Sequence, residues 1–145
     1  WVKTKSGDPS GASGLRLRSR DMAKFGLMMM QQGKWNGTQV LPKKLAELAF
    51  AEQIKITEEP DFRMGYGFQI WLESFEIKGS RILHQAFNGN GGQRVLIDQA
   101  NGIMIAATAG NYNNRGPLKN AQDFADQFVY PSLLDKKIGK PTEKK

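Results

Sequence analysis

Ala86-Phe87-Asn88-Gly89-Asn90-Gly91-Gly92-Gln93-Arg94 is the stretch on which the reading of this chain turns. Three glycines fall within four positions, and an apolar run, Val95-Leu96-Ile97, follows at once. Glycine inside or beside a strand weakens it, so a cluster there has a reason. Two readings are open. One is a glycine-rich hairpin turn or bulge, because Gly and Asn dominate turns. The other is a place where a ligand or a reacting carbonyl must approach the backbone closely.

Strands surround the cluster. Ser80 to Phe87 reads as one, Gln93 to Asp98 as the next, and Gly102 to Ala109 as another. Asn101-Gly102 marks a hairpin turn between the last two. Upstream, Tyr66, Phe68, Ile70 and Leu72 alternate with Gly67, Gln69 and Trp71, the period of a further strand. Connections this short favour antiparallel pairing.

Helices flank these strands. Residues 1–18 read as glycine-rich coil. Ser19 is placed to cap a helix over about 20–32, with Asp21 in its first turn and Gly33 as its C′ residue. Met22, Phe25 and Met29 share one face, and Leu27, Met28 and Met30 widen it, so this helix should be buried on most sides. Asn36-Gly37 predicts a tight turn. Pro42 suits the first position of a second helix, running to about residue 52 with Leu45, Leu48 and Phe50 on its apolar side. Residues 55–63, with Pro60, read as a loop. Ala121, Phe124, Ala125 and Phe128 predict a final helix up to Pro131. The fold class is α+β: an antiparallel sheet with a C-terminal helix packed on it, plus part of a helical subdomain. One domain covers residues 1–135, and residues 136–145 form a basic flexible tail.

The order of these segments carries a resemblance. Ser13-Gly14-Leu15-Arg16-Leu17-Arg18-Ser19-Arg20-Asp21-Met22-Ala23-Lys24-Phe25-Gly26, Gly33-Lys34-Trp35-Asn36-Gly37, Gly65-Tyr66-Gly67-Phe68-Gln69-Ile70-Trp71, the glycine cluster and Ile103-Met104-Ile105-Ala106-Ala107-Thr108-Ala109-Gly110-Asn111 follow one another. Over about residues 10–130 this resembles the C-terminal half of the serine hydrolases related to β-lactamases and penicillin-binding proteins. The nearest likeness is to the esterase and amide-hydrolase branch that includes 6-aminohexanoate-dimer hydrolases.

The resemblance implies acyl transfer to a serine and then to water. Hydrolases of this kind use a Ser-x-x-Lys nucleophile motif, a Tyr-x-Asn-like motif, and a Lys-Thr-Gly-like motif on a strand. Ser6, Ser10, Ser13, Ser19, Ser74, Ser80 and Ser132 all lack Lys three positions on, so the nucleophile must come from a missing N-terminal half. Lys5-Ser6-Gly7 and Tyr112-Asn113-Asn114 fit two motifs by letter but stand in the wrong order, as chance matches do. Phe87-Asn88-Gly89 is the better counterpart of the third motif. The resemblance then makes the Asn90 N–H the second oxyanion donor. Gly89 keeps the strand surface open, and Phe87, Asn88, Gly91, Gly92 and Gln93 shape the substrate wall. No charged or hydroxyl side chain stands at 87 or 88, which disfavours β-lactam substrates and favours a small-molecule ester or amide. This chain alone is expected to be inactive.

Composition bounds the alternatives. The 145 residues suffice for one domain with a core. No run of 18 apolar residues exists, so no membrane span is expected. Without cysteine and with one histidine, neither disulfides nor a usual zinc shell can form, and no cofactor is implied. His84 in a strand reads as a packing residue, since a base needs a partner in reach. Tyr66 and Trp71 could line a cleft, and packing explains them equally well. Asn36-Gly37-Thr38 matches a glycosylation acceptor, which the turn explains without sugar. The net charge is +7, of which +4 sits in residues 136–145, so a nucleic-acid partner is not expected. The start at Trp1 fits a piece of a longer protein. The resemblance favours a periplasmic or secreted setting and leaves the cytoplasm open. The rival reading is a non-catalytic domain of the same fold that binds peptide or cell-wall material.

Overall fold

The computed structural model describes residues 1–11, 13–58, 62–113 and 118–133. Its elements, in chain order, are α1 (Ser19–Met30), β1 (Lys34–Trp35), β2 (Thr38–Gln39), α2 (Lys43–Phe50), β3 (Ile54–Glu58), β4 (Phe62–Tyr66), β5 (Trp71–Ile77), β6 (Ser80–Asn88), β7 (Arg94–Asp98), β8 (Ile103–Ala107) and α3 (Leu118–Phe124), which runs into a π-helical turn (Ala125–Val129). The architecture is α+β. Six strands form one antiparallel sheet in the order β3-β4-β5-β6-β7-β8, and β1 and β2 form a separate small hairpin. Every strand in the large sheet pairs with its sequence neighbour, so local turns specify the whole order.

Strand alternation splits the sheet into two apolar faces. Ile70, Leu72, Val95 and Ile97 pack with Met29 of α1, and Met22, Met28, Phe87, Met104 and Ala106 join them. The opposite face buries Ile77 and Ile82 against Ala125 and Tyr130 of the C-terminal helix. The chain is thus helix, sheet, helix in three layers.

Close approach explains one helical glycine. A Cβ on Gly26 would stand 2.6 Å from Val95 Cγ1 and 3.1 Å from Met104 Cγ, so α1 sits directly on β7 and β8. Within α1 only Gly26 and Met29 are fully buried. Phe25 is 39% exposed, so the expected burial on most sides is corrected to a single stripe. Ser19 does not cap the helix. The N-cap is Arg18, without a side-chain bond. Ser19 Oγ instead meets Thr108 Oγ1 at 3.1 Å, tying α1 to the end of β8. At the other end Gln32, not Gly33, takes the left-handed C′ position (φ 56°). Gly33 N–H donates to the Met28 carbonyl and Gln32 N–H to the Met29 carbonyl, a Schellman closure.

Asn36 (φ 47°) and Gly37 (φ 81°) form the tight turn between β1 and β2. α2 begins after Pro42, which is its N-cap, and ends at Phe50. Its buried residue is Ala46, while Leu45 and Leu48 face solvent.

Two segments depart from the sequence reading. Residues 55–58, expected in a loop, belong to edge strand β3, paired with β4 through Ile54↔Tyr66 and Glu58↔Arg63, and residues 62–63 of the same expected loop belong to β4. An edge strand this exposed carries no buried alternation, so the period that identifies strands is missing from it. The loop's Pro60 lies outside the described residues. The alternating run from Tyr66 to Leu72 is not one strand. Gly67 N–H donates to the Ile70 carbonyl (2.8 Å) and Gln69 has φ 62°, so a tight turn separates β4 from β5. A Cβ on Gly67 would collide with the Ala49 carbonyl, so the turn fits only against the end of α2 with glycine there.

The last helix passes Pro131. Its residues 125–129 widen into a π turn in which Tyr130 N–H reaches the Ala125 carbonyl. Pro131 brings no N–H to the helix ladder. No described helix is long and apolar enough to cross a membrane. Residues 136–145 lie outside the described residues.

Candidate functional site

The glycine cluster is a three-residue hairpin loop between β6 and β7. Asn88 pairs with Arg94, and Gly89 N–H donates to the Gln93 carbonyl (2.8 Å), which leaves Asn90, Gly91 and Gly92 as the loop. Gly92 N–H donates to the Gly89 carbonyl (3.0 Å). Of the loop glycines only Gly92 takes a positive φ, at 87°. A type I turn followed by a left-handed glycine is a standard way to close such a hairpin. The hairpin reading of the cluster therefore accounts for Gly92 directly.

Gln93 locks the loop. Its Oε1 accepts the Gly91 N–H (3.0 Å), and its Nε2 donates to the Ala109 carbonyl (2.6 Å) and the Tyr112 hydroxyl (3.2 Å). A Cβ on Gly91 would stand 2.6 Å from Gln93 Nε2, and one on Gly89 would strike Gln93 Oε1. These two glycines make room for the glutamine side chain. The segment after β8 closes the other side: Asn111 N–H donates to the Gly91 carbonyl (3.1 Å), and Asn90 Nδ2 donates to Asn113 Oδ1 (3.1 Å). The sequence reading set Tyr112 and Asn113 aside as a chance motif. Nothing short-range could have placed them here, because the contact spans about twenty residues.

Gly89, Gly91 and Gly92 donate their backbone N–H within the loop. Asn90 is exposed, and its N–H has no hydrogen-bond partner among the described residues. A groove of about 330 Å³ runs beside the loop, lined by Gly92, Ile105, Ala106, Ala107, Thr108, Ala109, Ala121 and Phe124. Asn90 is not in its wall.

Phe87 and Asn88 point to opposite faces. Phe87 packs edge-on against Phe25 of α1, with ring centroids 5.1 Å apart. Asn88 Nδ2 donates to Glu73 Oε1 (3.3 Å) on the face under the C-terminal helix. The same Glu73 forms a buried ion pair with Arg94. Lys5-Ser6-Gly7 lies far from this site in sequence, in an exposed turn closed by Gly7 N–H and the Thr4 carbonyl.

A polar layer continues along that face. His84 is fully buried, stacked on Tyr130 and tilted against Phe75. Burial drives its pKa down to about 4, with Arg94 adding to the shift and the Asp98 carboxylate opposing it. Burial likewise pushes the Tyr130 hydroxyl above its ordinary range, and Asp98 adds to the shift. Asp98 is held by Asn101, through its backbone N–H (3.0 Å) and its Nδ2 (2.7 Å). His84 is closed off from solvent, as a packing residue is. Tyr66 and Trp71 meet edge-to-face at 4.8 Å across β4 and β5. No group of three His, Cys, Asp or Glu residues among the described residues could hold a metal ion.

No family model matches the chain, and no curated protein matches it. Among solved structures it superposes on one named "Putative 6-aminohexanoate-dimer hydrolase from Bacillus anthracis", with a TM-score of 0.67 and 21% identity. The match covers 98% of this chain and 34% of the other, so the chain spans about a third of that protein's length. At this identity the likeness is one of fold: the α+β arrangement of this chain matches part of that structure.

Proposed function

We propose that this chain is the sheet and C-terminal-helix portion of a serine hydrolase that cleaves an ester or amide bond through an acyl-serine intermediate. The nucleophile and its proton-transfer partners come from sequence outside the chain. The observation that carries the reading is the Asn90 amide: its three glycine neighbours are spent on hairpin closure or on Gln93, while at its exposed tip it has no partner among the described residues. A donor held rigidly by Gly89, Gln93 and Asn113 needs no reorganisation to meet a developing oxyanion. Gly89, Gly91 and Gly92 keep side chains away from that approach, Gln93 fixes the loop, and Phe87 and Asn88 anchor its base to the two faces of the sheet. The fold likeness to part of a hydrolase supports the same reading.

The test is activity-based labelling of the protein with the residues that precede Trp1 included. A fluorophosphonate probe should modify a serine of a Ser-x-x-Lys motif in that upstream sequence. A folded protein that takes no label would remove the hydrolase reading.

One observation favours the rival, a non-catalytic binding domain. Hairpin closure and the Gln93 side chain by themselves account for Gly89, Gly91 and Gly92. Absence of any upstream Ser-x-x-Lys, together with saturable binding of peptide or cell-wall fragments, would decide for it.

A further inference from the structure

A second cavity lies on the α1 side of the sheet, away from the glycine hairpin. It holds about 220 Å³ between the end of α1, the helix α2, strand β6 and the turn between β7 and β8. Gln32, Gln85, Gln99 and Glu47 supply its polar wall, and Ala46 and Phe50 are among its apolar residues. Gln85 lies four residues before Gly89 on β6, about 13 Å along the strand.

Gln85 is the informative member. It is 7% exposed, and its Oε1 has no hydrogen-bond partner among the described residues. Leaving a buried amide oxygen unsatisfied costs about 1–3 kcal/mol, so an acceptor kept at a cavity wall favours a donor that enters the cavity. Glu47 adds a carboxylate to the same wall. Its nearest cation is Lys43, one helical turn away at 3.6 Å, with both side chains more than half exposed. The lining offers one carboxylate and three side-chain amides, with no Lys or Arg, beside apolar carbon.

Gln32 points the same way. It occupies the left-handed C′ position where glycine is the usual residue. A side chain is retained there against a backbone cost of about 1 kcal/mol.

We propose that this cavity binds a small organic ammonium ion with a short apolar body. Its N–H groups donate to Gln85 Oε1 and to the Glu47 carboxylate, its carbon chain lies on Ala46 and Phe50, and Gln32 and Gln99 close the rim. The site is independent of the hydrolase reading.

Titration of the isotope-labelled protein with butylammonium chloride tests it, read at the side-chain amide resonances of Gln32, Gln85 and Gln99. Saturable shifts are expected, and 1-butanol, the neutral analogue, should bind at least about tenfold more weakly, the loss of one charged hydrogen bond. Gln85→Leu and Glu47→Gln should each weaken binding by about tenfold. If Gln85→Leu does not fold, the half-exposed Glu47→Gln carries the same comparison. Gln32→Gly should weaken binding without lowering the melting temperature, an outcome that a purely structural role for the side chain does not give. Shifts that never saturate, as for a cavity holding only water, would overturn the proposal. So would equal binding of 1-butanol, or unchanged affinity in Glu47→Gln.

Discussion

The rings of His84 and Tyr130 stack across the boundary between the sheet and the C-terminal helix, centroids 5.1 Å apart and planes 18° from parallel. Burial dominates the surroundings of both groups: it lowers the His84 pKa and raises that of Tyr130, so the stack favours the neutral imidazole.

Stability should consequently depend on pH through His84. Its folded-state pKa is about 4 against an ordinary 6.5, so between those values the unfolded chain binds the extra proton. The stabilisation is complete above pH 6.5, falls as pH drops from 6.5 to 4, and is flat below, for a total of about 3 kcal/mol. Burial raises the Asp126 pKa, which acts in the opposite sense: it favours the folded state at low pH and the contribution is lost as pH rises. His84→Phe keeps the stack and cannot charge. Urea unfolding of both proteins across pH 4–7 should show the slope in the parent and its loss in the variant.

The buried Glu73–Arg94 pair should be far more costly to break than to replace. Removing one charge takes from the other an opposite charge that it meets in the interior. Glu73→Leu or Arg94→Met alone should destabilise by about 3–5 kcal/mol, and the double variant should recover most of that loss. A double-mutant cycle by equilibrium denaturation checks it; additive losses would contradict it.

At Gly26 the packing of α1 outweighs helix propensity. Alanine is normally favoured over glycine in a helix by about 1 kcal/mol. Here its Cβ would press on Val95, a β-branched residue held by the strand. Gly26→Ala should lower stability by about 1–3 kcal/mol, and Gly26→Leu should unfold the protein. Thermal melts decide, and a stabilised Gly26→Ala would show that α1 can lift off the sheet freely.

Asn90→Pro tests the proposed oxyanion donor directly. Asn90 is the first central residue of its turn, where proline is favoured. The substitution removes the N–H and keeps the turn. In the protein with its upstream sequence, kcat should fall by about 100-fold or more, while Asn90→Ala, which keeps the N–H, should stay near the parent. Equal turnover in Asn90→Pro and Asn90→Ala would exclude this amide from the chemistry.

Gln93→Ala should release the loop. Three hydrogen bonds disappear, two of them to backbone groups, for a loss of about 1–3 kcal/mol. Hydrogen exchange at Gly91 and Asn111 should speed up, and unchanged protection would show that the hairpin holds its shape without the glutamine.

Much of the fold was legible because its signals are local. Asn36-Gly37 and Asn101-Gly102 name their own turns, and β6, β7 and β8 announce themselves by apolar runs between such turns. Edge strand β3 was missed because an exposed strand leaves no burial period. The break at Gly67–Ile70 was missed because alternation continues across a tight turn. At the candidate site, the sequence singled out Gly89–Gln93 by composition. It did not reveal that Gln93 fills the space left by Gly89 and Gly91, or that Tyr112 and Asn113 close the loop from the far side of β8.

By itself, then, the sequence determined the fold class, the run of antiparallel hairpins and the lack of a Ser-x-x-Lys nucleophile, since each rests on residues close together in the chain. Tertiary structure alone decided which amide of the hairpin has no partner among the described residues, why Gly26 must stay small, and that His84 is buried beneath Tyr130. Those properties arise where segments far apart in the chain are pressed together, and hydrogen-bond satisfaction, steric room and desolvation are set by the neighbours that meet there.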